Sequence, residues 1–471
     1  MAVPLELRGK RVLVIGLART GMATALFCAT RGARVTATDL RGEAEIPGAA
    51  KLRAAGVQLH LGSHDAAVLD QQELVIPSPG VAADAPLLAA ARRAQIPIWS
   101  EIELASRFLH EGTSLIGITG SNGKTTTTSL IAHILESNGL HTLLAGNIGT
   151  PLIGVVDRTT DDTRVVAELS SFQLEWIASF RPRIALLLNL TPDHLDRHGS
   201  LEAYTRAKAR IFENQQPADA AILNADDPAA AALAPSPPQV YWFSRRQPVE
   251  QGTFVRGNEI VFRFETMHTE EILLRLTDIP LLGAHNLENV LAAATAARLA
   301  GVAAQDIPAA VRTFQGVEHR LEFVADISGV RYYNDSKATN VDAAHKALEA
   351  FPGRILIILG GKDKGSDYTT LRTALQEKAL LAILIGAAAE KIAGQISGSV
   401  PVEQAGTLGR AVEIARNAAR PGDTVLLAPA CASFDQFENY EQRGRIFKQL
   451  VNAAADRAAQ ARAGARLPAE R

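Results

Sequence analysis

Cysteine is nearly absent from this chain. Only Cys28 and Cys431 occur among 471 residues, which excludes a disulfide framework and a Cys-rich zinc site and points to a reducing, cytoplasmic setting. A surplus of positive charge is also missing. Lys and Arg total 48 against 50 for Asp and Glu, a formal net charge of −2, so there is no general field for a phosphate backbone and nucleic acid is not an expected partner. No export signal is expected either, because Glu6, Arg8, Lys10 and Arg11 interrupt the first stretch. The uncharged run between Lys378 and Glu390 falls well short of a bilayer, so no membrane span is expected.

What remains is a globular composition, 47% hydrophobic and 21% charged, on a chain long enough for about three domains of roughly 150 residues. The opening run Arg11-Val-Leu-Val-Ile15, the turn Gly16-Leu-Ala-Arg-Thr-Gly21, an apolar helical segment over 22–30 and the run Arg34 to Thr38 ending at Asp39 read as a βαβ unit. The turn lacks the middle glycine of a dinucleotide fingerprint, since Ala18 stands there. NAD is therefore disfavoured, although the helix start can still face an anion. A charged helix is expected over Glu101–Glu111, ahead of a strand over Ser114–Ile118. Alternating runs near Phe254 to Phe264 suggest peripheral antiparallel hairpins. Strands over 330–333, 355–359, 382–385 and 424–427 alternate with helical segments in a last α/β region, with fraying expected in the Ala- and Arg-rich tail over 453–471. The expected architecture is α/β with three domains. These are a Rossmann-like domain over 1–102, a central P-loop ATPase domain with a mostly parallel sheet over 103–316, and a Rossmann-like domain over 317–471.

The strongest chemical signal is Gly117-Ile-Thr-Gly-Ser-Asn-Gly-Lys-Thr125 between a strand and a helix. Small residues let backbone N–H groups wrap phosphate oxygens, Lys124 supplies charge at the outer phosphates, and the Thr125 hydroxyl can ligate Mg²⁺. The spacing is a variant, because Ile118 stands where the first glycine of the strict motif belongs. Gly120, Ser121, Asn122, Gly123, Lys124, Thr125 and Thr126 are the candidate ATP contacts. Farther on, Glu168 follows a strand expected over 163–166 and neighbours Ser170 and Ser171. Alone it reads equally as a capping carboxylate or a metal ligand. Its company is Leu186-Leu-Leu-Asn-Leu-Thr-Pro-Asp-His-Leu-Asp-Arg-His198, a strand end crowded with polar groups.

Taken in order, the loop variant, Glu168-Leu-Ser-Ser-Phe-Gln173, Asn189-Leu-Thr-Pro-Asp-His194 and Tyr204-Thr-Arg-Ala-Lys208 resemble the ATP-dependent Mur ligases of peptidoglycan precursor synthesis. Asn334-Asp-Ser-Lys-Ala-Thr-Asn340 and the segment Ala428 to Gly444 narrow the resemblance to the branch that joins D-glutamate to UDP-N-acetylmuramoyl-L-alanine. The resemblance covers nearly the whole chain. It implies ATP-driven formation of an acyl phosphate on the precursor's carboxylate, followed by attack of the amino acid's amine.

The resemblance also implies roles. Lys124, Glu168, His194, Lys208 and Lys337 would be catalytic. Thr125, Glu168, Ser170, His194 and Lys208 would serve two Mg²⁺ ions, with Lys208 carried as a carbamate, since an ammonium would repel a cation. Without the motif, Lys208 reads as a helix-surface lysine. Asn286 and Asn289 would pair the adenine, with helix capping as the alternative for Asn286, and Arg320 and Asp335 would reach the nucleotide. Leu17, Ala18, Arg19, Thr20, Asp39, Arg41, Ser78, Pro79 and Gly80 would hold the uridine diphosphate end. Asn147 and His194 would face the muramoyl part. Thr339, Lys364, Ser433, Phe434 and Tyr440 would receive D-glutamate, with Lys362 a second candidate for the positive charge. A monomer is expected. A sister Mur ligase, a folate polyglutamate ligase and a non-catalytic nucleotide-gated protein remain as alternatives.

Overall fold

The computed structural model describes residues 6–264, 269–363 and 365–464. Three sheets organise them, each starting where β-rich apolar runs recur between helical segments. The first contains β1 (Arg11–Ile15), β2 (Arg34–Asp39), β3 (Gln58–Leu61) and β4 (Leu74–Pro77), all parallel, in the order 3-2-1-4. β1 is central and its apolar residues are buried on both faces, as a covered parallel sheet requires. The helix Arg19–Thr30 packs so closely on the β1 turn that a Cβ at Gly21 would stand 1.8 Å from the Gly16 carbonyl oxygen. Glycine is therefore obligatory there.

The second sheet has nine strands: β5 (Ser114–Thr119), β6 (Thr142–Gly146), β7 (Arg164–Glu168), β8 (Ile184–Leu187), β9 (Ala220–Asn224), β10 (Gln239–Ser244), β11 (Gly252–Arg256), β12 (Glu259–Phe264) and β13 (Thr269–Arg275). Their order is 13-12-11-10-9-8-5-7-6. The core is parallel and only the pairings of β12 with β11 and β13 are antiparallel. The runs near 254–264 thus form an edge extension of this sheet. β5, which feeds the glycine loop, lies between β7 and β8, so the ends of three strands converge on one crevice.

The third sheet contains β14 (Glu322–Ile327), β15 (Val330–Asn334), β16 (Ile355–Gly360), β17 (Ala379–Ile385), β18 (Val402–Gly406) and β19 (Thr424–Leu427), in the order 14-15-19-16-17-18. All pairings are parallel except that of β14 with β15. The run after Lys378 is β17, and among the described residues no helix is long and apolar enough to cross a membrane. The last helix spans Tyr440–Gly464, so the first part of the tail expected to fray, 453–464, is helical, and 465–471 lie outside the described residues. The chain makes two compact units, one built from Pro280–Leu287 and from Gln315 onward, the other from the remaining described residues.

The expected charged helix is shorter, Glu101–Ser106, because its carboxylates point inward. Glu103 is 0% exposed and accepts the N–H groups of Ala178, Ser179 and Phe180 at 2.9, 2.9 and 2.8 Å. Burial alone would raise its pKa, but these donors and Arg107 outweigh it and hold the carboxyl below its usual value. Glu101 behaves oppositely. One oxygen accepts the Ile153 N–H at 2.6 Å, and burial pushes the carboxyl up to about 7.

A raised carboxyl pKa means that the folded state holds the proton more tightly than the unfolded chain, so Glu101 costs stability as pH rises from about 4.5 through about 7. Melting curves at pH 5 and pH 8 should show a component of that loss, at most roughly 3 kcal/mol, that is absent from Glu101→Gln. Identical pH dependence in both proteins would contradict the assignment.

Candidate active site

The glycine loop runs from the end of β5 to the helix Lys124–Ser137. Gly123 has φ 84°, and a Cβ on it would lie 2.2 Å from Asn289 Oδ1, so the loop needs glycine both for its conformation and for close approach to Asn289. Asn289 Oδ1 also accepts from the Thr127 hydroxyl at 3.2 Å. Lys124 Nζ curls back to donate to the carbonyls of Gly120 (2.8 Å) and Ser121 (2.9 Å). Thr126 Oγ1 is buried without a hydrogen-bond partner at the start of the helix. An orphaned hydroxyl beside a glycine loop and a helix N-terminus suits a phosphate ligand.

Glu168 closes β7 and is 2% exposed. Its Oε2 accepts from Thr125 Oγ1 and its Oε1 from Asn147 Nδ2, both at 2.8 Å, so three candidates from three segments meet on one carboxylate. Ser170 sits instead in a capping box. Its hydroxyl donates to Gln173 Oε1 at 2.8 Å and accepts the Gln173 N–H. His194 is half exposed, has φ 52°, and lies edge-on to Phe172. His198 is structural, with Nε2 against Ser171 Oγ at 2.9 Å and Nδ1 3.2 Å from Glu175 Oε1.

Lys208 is 2% exposed and its Nζ donates to the Gly120 carbonyl at 2.7 Å. That oxygen also receives Lys124. Burial drives the Lys208 pKa well below the ordinary lysine value, and Lys124 adds to the effect against the pull of Asp193 and Glu168. Burial thus favours the neutral form of Lys208, whose amine shares one acceptor with Lys124.

Three further residues hold this loop, and sequence reasoning assigned them no role. Asn189 Oδ1 accepts the Asn122 N–H at 2.8 Å while its amide donates to the Asn122 carbonyl at 3.1 Å. Ser121 Oγ donates to the Thr191 carbonyl and meets the Tyr204 hydroxyl at 3.0 Å. Asn189 and Tyr204 begin two of the quoted motifs, but motif membership alone does not show that their side chains lock the backbone of another strand's loop.

In the first sheet, Asp39 Oδ2 accepts the Leu17 N–H at 2.6 Å, and Arg41 grips both carboxylate oxygens. That guanidinium holds the Asp39 carboxyl well below the usual carboxylate range. Ala18 caps the helix Arg19–Thr30, which carries Arg19 and Thr20 in its first turn. Ser78 Oγ donates to the Gly16 carbonyl at 2.7 Å, bringing Ser78-Pro79-Gly80 to the same turn. Leu40 is 66% exposed beside them.

In the other unit, Asn286 Nδ2 donates to the Leu282 carbonyl at 2.7 Å. Asp335 Oδ1 accepts the Leu321 N–H, and burial pushes this carboxyl up to about 6 against Arg320 and Lys337. Lys337 Nζ lies 5.9 Å from the Tyr440 ring centre, and the Lys337 carbonyl accepts the Thr339 N–H. Arg443, another residue the sequence did not reveal, is 0% exposed. It donates to Ser336 Oγ (2.9 Å), the Ser336 carbonyl (2.8 Å) and the Cys431 carbonyl (3.2 Å), tying the Lys337 segment to the Ser433 segment. Ser433 is buried and Phe434 is 65% exposed. Lys364 lies outside the described residues. The structure thus gathers Lys124, Thr125, Asn147, Glu168 and Lys208 tightly, gathers Arg320, Asp335, Lys337 and Tyr440 separately, and leaves Ser170 in a cap.

Residues 10–100 match the MurD-like N-terminal domain of Mur ligases, 118–297 the Mur ligase middle domain and 319–431 the Mur ligase glutamate ligase domain. The chain is 55% identical over 451 residues to the UDP-N-acetylmuramoylalanine--D-glutamate ligase of Acidobacterium capsulatum, spanning 95% of this chain and 97% of that one. The chain belongs to the Mur ligase family. A second relative of the same printed name, from Koribacter versatilis, is 52% identical over 96% of this chain and 99% of its own. Among solved structures, the UDP-N-acetylmuramate-alanine ligase of Thermotoga maritima superposes with a TM-score of 0.57 at 20% identity, over 94% of this chain and 99% of that one, a likeness of fold. Mur ligases are ATP-dependent, and the glycine loop, the orphaned Thr126 hydroxyl and Glu168 fit a magnesium-bound nucleotide.

The double bond from Asn189 to Asn122 should matter more for ligand than for fold. Asn189→Ala is expected to raise the KM for ATP about tenfold while shifting the melting temperature little. An unchanged KM in an ADP-release assay would show that the loop holds its shape without it.

Proposed function

We propose that this Mur ligase adds D-glutamate to UDP-N-acetylmuramoyl-L-alanine, as a cytoplasmic monomer, through an acyl phosphate. Supporting the acceptor is one observation above all, the near full-length identity to relatives of that printed name. The segment Ala430-Cys-Ala-Ser-Phe-Asp435 agrees with it, and so does the lack of an Asp-Asn-Pro-Arg sequence. The domain limits proposed are 1–102, 103–316 and 317–471.

The chemistry starts from two anions that repel. A carboxylate oxygen of the precursor attacks the γ-phosphorus of ATP and the bond to ADP breaks. Lys124, held over the loop by its two carbonyls, is placed to turn toward the transferring charge. Thr125 and Glu168 would hold a magnesium ion, which would supply further positive charge at the phosphates. The neutral amine of D-glutamate then attacks the acyl carbon, phosphate leaves and the amine's proton is lost. The first-sheet turn and the Asp39–Arg41 pair are assigned to the uridine diphosphate end, Asn147 and His194 to the muramoyl part, and Asn286, Asn289, Arg320 and Asp335 to the nucleotide. Lys337 is assigned to the phosphoryl group. Thr339, Lys364, Ser433, Phe434 and Tyr440 are assigned to the amino acid.

A second magnesium would call for a further anionic ligand. Lys208 can provide it. Its buried amine, favoured in the neutral form, would add to CO₂, forming an N–C bond and releasing a proton, and the resulting carbamate would offer an oxygen pair to the metal, with His194 assigned to the same site.

ADP release with UDP-N-acetylmuramoyl-L-alanine and a panel of D- and L-amino acids should be supported by D-glutamate. Efficient use of a neutral amino acid in its place would remove this acceptor. Lys124→Ala should lose about 10²–10³-fold or more in turnover with an unchanged melting curve, and near-normal ADP release would sink its role. Activity should fall in CO₂-depleted buffer, and Lys208→Ala should be inactive but partly recovered by small added carboxylates. A fully active Lys208→Ala protein would exclude the carbamate.

A further inference from the structure

The unit carrying Ser433 also holds a chain of side chains that the roles above do not use. Asp363 lies on the loop leaving β16. Its Oδ1 accepts the Tyr368 hydroxyl at 2.8 Å and the Ser366 N–H at 3.1 Å, and its Oδ2 accepts Lys391 Nζ at 2.7 Å. Tyr368 is 0% exposed, and its hydroxyl also stands 2.9 Å from Cys431 Sγ. The Lys391 bond, helped by Tyr368 and Ser366, holds the Asp363 carboxyl well below the usual range, so it is ionised at neutral pH. Backbone bonds tie this loop to the segment preceding Ser433, from the Gly360 N–H to the Pro429 carbonyl and from the Lys362 N–H to the Ala432 carbonyl, both 2.8 Å.

A negative charge on this loop is out of keeping with its proposed ligand. With its amine neutral and ready to attack, D-glutamate carries two negative charges, and an uncompensated carboxylate on the loop would repel it. Asp367 on the same loop accepts the Thr369 N–H and hydroxyl at 2.9 and 2.6 Å and also feels Lys391, and Asp435, beside Gly386, accepts the Ala387 N–H at 2.9 Å. We propose that Lys391 is a specificity-determining positioning residue. It cancels the Asp363 charge and, through the bond from Asp363 to Tyr368, fixes the loop that receives a dianionic amino acid. This inference rests on the D-glutamate reading above.

The Lys391–Asp363 pair is partly exposed, with 38% and 25% of the two side chains accessible. Substitutions there should leave the fold intact and act through a screened interaction. Lys391→Met is expected to raise the KM for D-glutamate about threefold to tenfold at low ionic strength, with the KM values for ATP and the uridine precursor unchanged and a smaller difference at high salt. Adding Asp363→Asn, which keeps the Oδ1 acceptor for Tyr368 but removes the charge, should restore the KM for D-glutamate to near its original value. An unaltered KM in Lys391→Met, equal rises for all three substrates, or failure of Asp363→Asn to rescue would each overturn the proposal while leaving the acceptor assignment standing. An unmodified protein that does not use D-glutamate would overturn both.

Discussion

Two lysine amines converge on the carbonyl oxygen of Gly120, Lys124 at 2.8 Å and Lys208 at 2.7 Å. Two ammonium groups that close, one of them almost wholly buried, would repel strongly in a poorly screened interior. Burial of Lys208 relieves this by favouring its uncharged form. Much of the site follows from that arrangement. Lys124 Nζ stays over the loop, donating to the Gly120 and Ser121 carbonyls. The carbonyl can serve both only because the Gly120 backbone is held still, and Asn189, Thr191 and Tyr204 hold it by gripping its neighbours Ser121 and Asn122.

The same economy of buried charge recurs elsewhere. Glu101 and Glu103 lie two residues apart on one short helix, yet they titrate in opposite directions because Glu103 collects three backbone donors and Arg107 while Glu101 collects far fewer. Arg443 lies in the interior facing carbonyls and a hydroxyl rather than a carboxylate, and burial lowers its pKa to about 10. Each of these groups spends its hydrogen bonds on loop backbone. Among them Arg443 fixes the segments that carry Lys337 and Ser433, while Glu103 holds the turn Ala178–Phe180.

Local pattern made much of the fold legible. Apolar runs of strand length marked β1, β5, β15, β16 and β19 to within a residue or two, because they are buried on both faces and carry little else. β3, β4, β6, β9, β10, β13, β14 and β18 were not expected, and β3, β14 and β18 show one reason. Their residues are half exposed and polar, and pairing at a sheet edge rather than composition makes them strands. The stretch after Ser100 reads as one long charged helix because charge usually marks a solvated face, and here two of those charges are the buried ends of a hydrogen-bond network.

The sequence by itself determined the family, the glycine loop and the order of the motifs, because each is a contiguous run whose chemistry depends on neighbours in the chain. Tertiary structure alone decided that Thr125 and Asn147 both donate to the Glu168 carboxylate, that Ser170 is held in a cap, and that Lys208 is buried enough for its neutral form to be favoured. Those outcomes depend on distance and on exclusion of water. Both are set only when strands separated by dozens of residues lie side by side, as β5 does between β7 and β8.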